Sequence, residues 1–342
     1  MTDYRLGKGT TMLPGMTTLR VARGGACIAA AMLLSCSLAC HAQDFPSRPI
    51  RLIVPQAPGG GTDILGRNVA QKLGEQLRQP AIVENRTGAG SLVGTEYVAK
   101  SAADGYTLLV GGIFNIVMNR ALIKNISYDP LRDFVPLGFT SAYPFVLLAR
   151  SDLPVSDFAE LVKYAKERPG SLTYGSAGIG TLQHVWGTIL FKSLGMDALH
   201  VPFKGAAAAH QEMMAGRLDL LFDNMSASKQ YVQSGRLKGL AVSSAGRSGH
   251  LPDVPTVNET GLVKFEGESW FGLFAPAATP GPAVETLRKA LTGIVADPEF
   301  AARIERDGGR VLAIPPREQQ RFMQEEIERW TKLVAQYGVT VD

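Results

Sequence analysis

The sequence predicts an α/β protein of two lobes, each a mixed, mostly parallel sheet flanked by helices. Three observations predict it. Short apolar runs alternate with segments of helical spacing, the pattern of βαβ units. Two apolar, Pro-punctuated segments, FVPLGFTSAYPFVLLAR (134–150) and SWFGLFAPAATP (269–280), read as crossings between lobes. Two glycine loops share one grammar, VPQAPGGGTD (54–63) and LTYGSAGIGTLQHVWG (172–187), and each falls in a different lobe.

The chain has 342 residues, and the first 42 read as a signal peptide. Arg20 and Arg23 precede the uncharged stretch 26–39, and CHAQ follows with small residues at Cys40 and Ala42. A basic region, a short apolar core and a small-x-small site predict cleavage near Ala42 and export to the periplasm. The apolar stretch falls short of the roughly 20 residues that span a membrane. Leu33 to Cys36 faintly resembles a lipoprotein processing site, and Met12 or Met16 is an alternative start. Cleavage leaves 300 residues, enough for two domains.

The three cysteines, Cys27, Cys36 and Cys40, all precede the cut, so the mature chain has no disulfide framework or cysteine nucleophile. Four histidines remain, none spaced as a metal pair, and no metal or cofactor is expected. The removed segment carries Arg5, Lys8, Arg20, Arg23 and Asp3, so the net charge falls from +4 to +1. A nearly neutral surface argues against nucleic-acid binding, which needs a basic face.

Strands are expected at 51–54, 81–84, 107–110, 145–149, 172–174, 199–202, 219–222 and 237–242. Leu65, Val69, Leu73 and Leu77 fall four apart on one helical face, as do Leu182, Val185, Trp186, Ile189 and Leu190 on another. Two long helices close the chain near 283–296 and 317–337. With both Pro-punctuated segments as crossings, lobe 1 combines 43–143 with 271–342 and lobe 2 is 144–270, a hinge that permits closure about a ligand. Trp186 and Trp270 are expected to pack the core or hinge, and Lys204 to sit on a solvated loop.

Each glycine loop joins an apolar run to a helical pattern, with Thr62 and Thr181 as expected N-caps. Helix N-termini offer free N–H donors and partial positive charge, and glycine lets an anion approach the backbone. Neither loop has the Gly-Lys-Ser/Thr ending of a nucleoside-triphosphate site or the complete G-x-G-x-x-G of a dinucleotide site. A carboxylate suits donors without lysine better than a phosphate does. The bland alternative is an ordinary strand–helix turn.

These residues carry a resemblance. RPIRLIVPQAPGGGTD, VENRTGAGSLVGTEYVAKSAADGYTLL, YGSAGIGTLQH, VPFKG, GRLDLLFDN and LPDVPTVNETG follow one another along the chain. In this order they resemble the periplasmic solute receptors of the tripartite tricarboxylate transporter system, often called the Bug family. The resemblance implies a type II periplasmic binding protein fold holding a small organic carboxylate between the lobes. It implies delivery of that ligand to membrane transporter subunits, and no catalysis; a monomer is expected. Carried over, the first loop contributes Pro58, Gly60, Gly61, Thr62 and Asp63, and the second Ser176, Gly178, Gly180, Thr181 and His184. Asp223 and Asn224 would meet the ligand's far end. Two departures stand out: Gln56 replaces a usual aromatic, suiting a more polar ligand, and KGAAAAH replaces a segment richer in glycine and proline.

Asp63 has a second reading, as a carboxylate favouring the helix dipole, and Asp223 has one as a turn cap. Two other functions remain open from the sequence. A receptor of this shape can signal to a membrane sensor instead of a transporter. A secreted hydrolase would use Ser176 and His184, although Tyr174 stands where a nucleophile elbow needs its first glycine.

Overall fold

A computed structural model describes residues 45–341. The proposed signal peptide and all three cysteines lie outside the described residues. From Phe45 onward the chain forms one compact unit.

The first part runs β1 (Ile50–Val54), α1 (Gly61–Leu77), β2 (Ala81–Asn85), α2 (Leu92–Ala99) and β3 (Thr107–Gly112). A π-helical turn, Ile113–Met118, leads into the short α3 (Asn119–Leu122). Next comes β4 (Phe134–Arg150), followed by α4 (Phe158–Glu167), β5 (Leu172–Ser176), α5 (Leu182–Ser193) and β6 (Ala198–Pro202). Then follow α6 (Ala206–Met214), β7 (Leu220–Asn224), α7 (Met225–Gln233) and β8 (Leu237–Val242). The chain closes with β9 (Glu268–Pro276), α8 (Gly281–Val295), α9 (Pro298–Arg306), β10 (Arg310–Val311) and α10 (Pro316–Gln336).

The strands order as β2-β1-β3-β9-β4-β7-β5-β6, with β8 and β10 also pairing to β4. Each end of this sheet is a parallel trio of one design. In the first, β1 lies between β2 and β3; in the second, β5 lies between β6 and β7. The central strand of each trio is therefore a topological switch point, and its carboxyl end opens into a glycine loop. Ligands of open α/β sheets bind at such points.

Between the trios, β4 and β9 run antiparallel. Along β4 the partners change abruptly. Residues up to Pro144 pair with β9, whereas Phe145 onward pairs with β7 and β8. The segment 269–280, expected only as a crossing, begins within a nine-residue strand. Its regularity was hidden by glycine and proline, which β4 accommodates where its register with β9 shifts, near Pro136 and Phe139.

Periodicity explains the packing of α1. Leu65, Val69 and Leu73 are buried, with Ile50, Leu52 and Val54 of β1 in the same core. A second core follows Val146, Leu148, Met213 and Leu221. The largest extends along β4 and α10. Helix α10 bridges the two trios. Phe322 meets Phe139 and Trp270 edge-on at 4.9 and 5.5 Å. Two turns later Trp330 stacks on Trp186 of α5 at 5.0 Å. Trp270 is likewise buried, and its indole N–H donates to Glu326 at 2.9 Å.

Truncating a fully buried tryptophan leaves a cavity that the surroundings fill only partly. Trp330→Ala is expected to destabilise the protein by about 3–5 kcal/mol, read as a lower urea midpoint. A midpoint equal to wild type would show that α10 does not fasten the two halves.

Candidate functional site

The sheet brings both glycine loops to one cavity of about 440 Å³. Its walls come from the ends of β1, β3, β5, β7 and β9. Residues in the first turns of four helices line it: Gly61 and Thr62 of α1, Leu182 and Gln183 of α5, Ala206 of α6, and Ser226 and Ala227 of α7. Each such end leaves N–H groups without an intrahelical acceptor and carries about half a positive charge. No lysine or arginine lines the cavity, and Asp223 is its one ionisable group. Phe114, Phe145 and Phe271 supply apolar wall.

The first loop is set by Asp63. Its carboxylate is almost fully buried and accepts from Gly59 N (2.9 Å), Arg67 Nε (2.9 Å) and Asn85 Nδ2 (2.9 Å). The Arg67 guanidinium, with the Gly59 and Asn85 donors, holds its carboxyl down at about 2, against the opposing effect of burial. Asp63 thus braces the loop and does not line the cavity. Gly59, at φ +80°, makes the turn that side chains avoid. Gly60 is the N-cap of α1, with no side-chain cap. The expected cap, Thr62, instead lies within the first turn, and its hydroxyl donates to Gln56 Oε1 at 2.6 Å. That contact engages the Gln56 carbonyl, and no hydrogen bond from its NH₂ is found among the described residues. A Cβ on Gly61 would meet no protein atom within 4 Å, so this backbone is open to a ligand.

In the second loop Thr181 is the N-cap of α5, as expected, and its hydroxyl also donates to Gly178 O at 2.7 Å. Gly178 and Gly180 adopt φ of +130° and +79°, so these glycines serve the turn itself. His184 Nδ1 accepts from Gly180 N at 3.1 Å, and its ring stacks on His200 at 4.2 Å. Ser176 pairs with His200 Nε2 at 2.7 Å, not with His184. Burial and the neighbouring His184 push the His200 imidazole down to about 4, and burial lowers His184 too. Ser176 is fully buried and does not line the cavity.

Of the thirteen residues anticipated, Gln56, Gly61, Thr62, Thr181, Asp223 and Asn224 line the cavity. Pro58, Gly60, Asp63, Ser176, Gly178, Gly180 and His184 do not. Asn224 caps α7, its side-chain oxygen accepting from Ser226 N at 3.0 Å. Asp223 Oδ1 accepts from Asn224 N (2.7 Å) and Gln183 Nε2 (2.8 Å), and burial pushes its carboxyl above the ordinary range. Lys204 is exposed. Gln183 and the three phenylalanines were missed. Gln183 was signalled only by its place two residues after the N-cap, and Phe145 and Phe271 by the crossings they occupy. Among the described residues no group of three or more His, Asp or Glu side chains is placed to hold a metal. No described helix is long and apolar enough to cross a membrane.

Comparison with known proteins gives a consistent picture. A family model described as "Tripartite tricarboxylate transporter family receptor" matches residues 65–339. A Pseudomonas sp. (strain P51) protein from a tcbD-tcbE intergenic region is 35% identical over 316 residues, covering 92% of this chain and 94% of its own. An R. palustris protein solved with adipate has a TM-score of 0.77 at 33% identity, over 87% of this chain and 99% of that one. MatC from Rhodopseudomonas palustris, with bound malate, has a TM-score of 0.73 at 32% identity, over 85% of this chain and 100% of that one.

The bracing role of Asp63 is testable. Asp63→Ala is expected to cost about 1–3 kcal/mol by removing three hydrogen bonds to a buried carboxylate, one of them charge-assisted from Arg67. Because the folded carboxyl is depressed from 3.8 to about 2, its stabilisation is present above about pH 4 and lost as pH falls through about 2. The gap in urea midpoint between wild type and Asp63→Ala should therefore shrink on acidification; a pH-independent gap would contradict this account.

Proposed function

The chain belongs to the tripartite tricarboxylate transporter receptor family, and on that premise we propose that it captures a small organic carboxylate between two lobes and passes it to membrane transporter subunits. The observation that carries the reading is the convergence of four helix N-termini on one lysine-free cavity. Such ends bind anions through backbone donors. Half-charges suit a carboxylate better than a polyphosphate, whose sites add a lysine.

The lobes we propose are 43–143 with 271–342, and 144–270. The change of strand partners at Phe145 and the start of β9 at Glu268 support those boundaries. Closure about the crossings would bring the donors of α1 toward those of α5, α6 and α7 and exclude water. The ligand class follows the relatives solved with adipate and malate. Gln56, Gly61 and Thr62 would meet it from one side, and Thr181, Asp223 and Asn224 from the other. Pro58, Gly60, Asp63, Ser176, Gly178, Gly180 and His184 would shape the loops behind them.

Binding here requires no catalysis. Ser176 is buried against His200 and neither residue lines the cavity, which supports a binding role. The protein acts in the periplasm as a monomer, after cleavage near Ala42. Several charge-assisted hydrogen bonds of about 1.5–3 kcal/mol each supply the roughly 8 kcal/mol of micromolar affinity.

Calorimetry against mono-, di- and tricarboxylates tests the reading. At least one should bind with a Kd near or below about 10 μM. Gly61→Val, which projects into open space at the cavity wall, should weaken that ligand at least about tenfold with little change in thermal midpoint. Failure of every carboxylate to bind protein verified as ligand-free by mass spectrometry would refute it.

A further inference from the structure

Behind the Asp223 wall stands His210 of α6, in the KGAAAAH segment that departs from the family pattern. The two side chains are 2% and 3% exposed, with His210 Nε2 and Asp223 Oδ2 3.4 Å apart. Neither atom has a hydrogen-bond partner among the described residues. The Ala206 backbone one turn earlier favours protonation of the ring, and with Nε2 unpartnered that influence falls on Nδ1. Nε2 and Oδ2 would then face each other as two lone pairs unless a proton lies between them. Two unshared acceptors in a buried site repel; one shared proton turns the contact into attraction.

We propose that Asp223 and His210 share one proton as a neutral dyad that fixes Gln183 with its carbonyl toward the ligand, so that the cavity selects carboxylates bearing a hydroxyl or ammonium donor. The inference deepens the carboxylate reading and rests on it. Its first step is a matter of counting. Whether the proton sits on His210 or on Asp223 Oδ2, Asp223 Oδ1 remains an acceptor, because Asn224 N and Gln183 Nε2 both donate to it. The Gln183 amide is therefore pinned through its NH₂. Gln183 is half-buried and lines the cavity, and no hydrogen bond to its side-chain oxygen is found among the described residues.

The second step concerns the opposite wall. There Thr62 engages the Gln56 oxygen, and the Gln56 NH₂ has no hydrogen bond among the described residues. The two glutamines thus present opposite polarity, a donor from Gln56 and an acceptor from Gln183. A ligand carboxylate satisfies the first and the helix N-termini. Only a ligand hydroxyl or ammonium satisfies the second without leaving a desolvated carbonyl unpaired. Neutrality of the dyad matters equally, since a lone carboxylate would repel the ligand's own.

Burial raises the Asp223 carboxyl and lowers the His210 imidazole, consistent with a proton shared by the pair. A cation, Arg236, lies beyond the dyad over the Tyr231 ring at 5.7 Å. Tyr231 of α7 stacks on His210 at 4.8 Å, α5 offers Gln183, and β4 offers Val146 opposite Asp223. As pH rises and the pair loses its proton, the wall becomes negative and anion affinity falls.

The test is calorimetry with matched pairs: malate and succinate, 2-hydroxyglutarate and glutarate, lactate and propionate, mandelate and phenylacetate. Wild type should prefer a hydroxyl-bearing member by about tenfold or more. Gln183→Met, similar in shape but without the carbonyl, should reduce that preference to within about twofold. Wild-type affinity should weaken as pH is raised through the titration of the dyad, and Asp223→Asn, which keeps an acceptor toward Gln183 but no titrating proton, should flatten the profile. Equal binding within each pair, or a preference that survives Gln183→Met, overturns the inference and leaves the carboxylate reading standing. No binding by any member, alongside failure of the wider panel, overturns the carboxylate reading itself.

Discussion

Four helices begin at one cavity, and their caps leave first-turn N–H groups over: Thr181 takes one on α5, Asn224 one on α7, and α1 and α6 have no side-chain cap. This unfinished hydrogen bonding is the constraint around which the rest is arranged. A helix end facing solvent would be satisfied by water and would select nothing. Here the central strand of each parallel trio carries its following helix to the same opening, because both trios share the order second–first–third and meet carboxyl end to carboxyl end. The glycine loops are the short links that make the hand-over possible. The ligand-facing donors are thus a property of topology first and of particular side chains second.

A receptor that closes as proposed would need a shaped cavity whose two walls can approach. The structure divides those duties. Asp63 with Asn85 and Arg67, and Ser176 with His200, lock each loop to its own trio. Strands β4 and β9 pass between the trios, and α10 lies across them with Trp330 on Trp186. The loops are rigid locally because their polar groups are internally satisfied. Any closure therefore falls on the crossings, where β4 exchanges partners.

What could be read from the sequence follows from how local each cause is. The spacing of Leu65, Val69 and Leu73 exposes a helical face because period and burial are both local. Thr181 as an N-cap is equally local, since its acceptor role involves His184 N three residues on. Thr62 is not the cap for a distant reason: Asn85 on β2, 22 residues beyond Asp63, joins Asp63 in fixing the turn, and Gly60 becomes the cap. Ser176 was read beside His184, but β6 brings His200 instead, through the pairing of Tyr174 with His200. Gln183 has no signature of its own; its role comes from Asp223, 40 residues later. The family motifs marked the loops that the sheet brings to the cavity. They did not say which residues in them face inward, because that depends on partners from other strands.

The absence of lysine from the cavity wall fits the same economy. Four helix ends at about half a charge each amount to about two positive charges, comparable with a dicarboxylate. Those charges never titrate and need no large desolvation when the walls approach. A lysine would have to surrender its hydration at closure, at a cost of several kcal/mol. Asp223 is the one full charge that could spoil the arrangement. It lies at the inner end of β7, with Gln183 on one oxygen and His210 opposite the other. A carboxylate placed there is compatible with an anionic ligand only while its own charge is balanced from behind. The histidine in the otherwise alanine-rich turn of α6 is the group positioned to balance it.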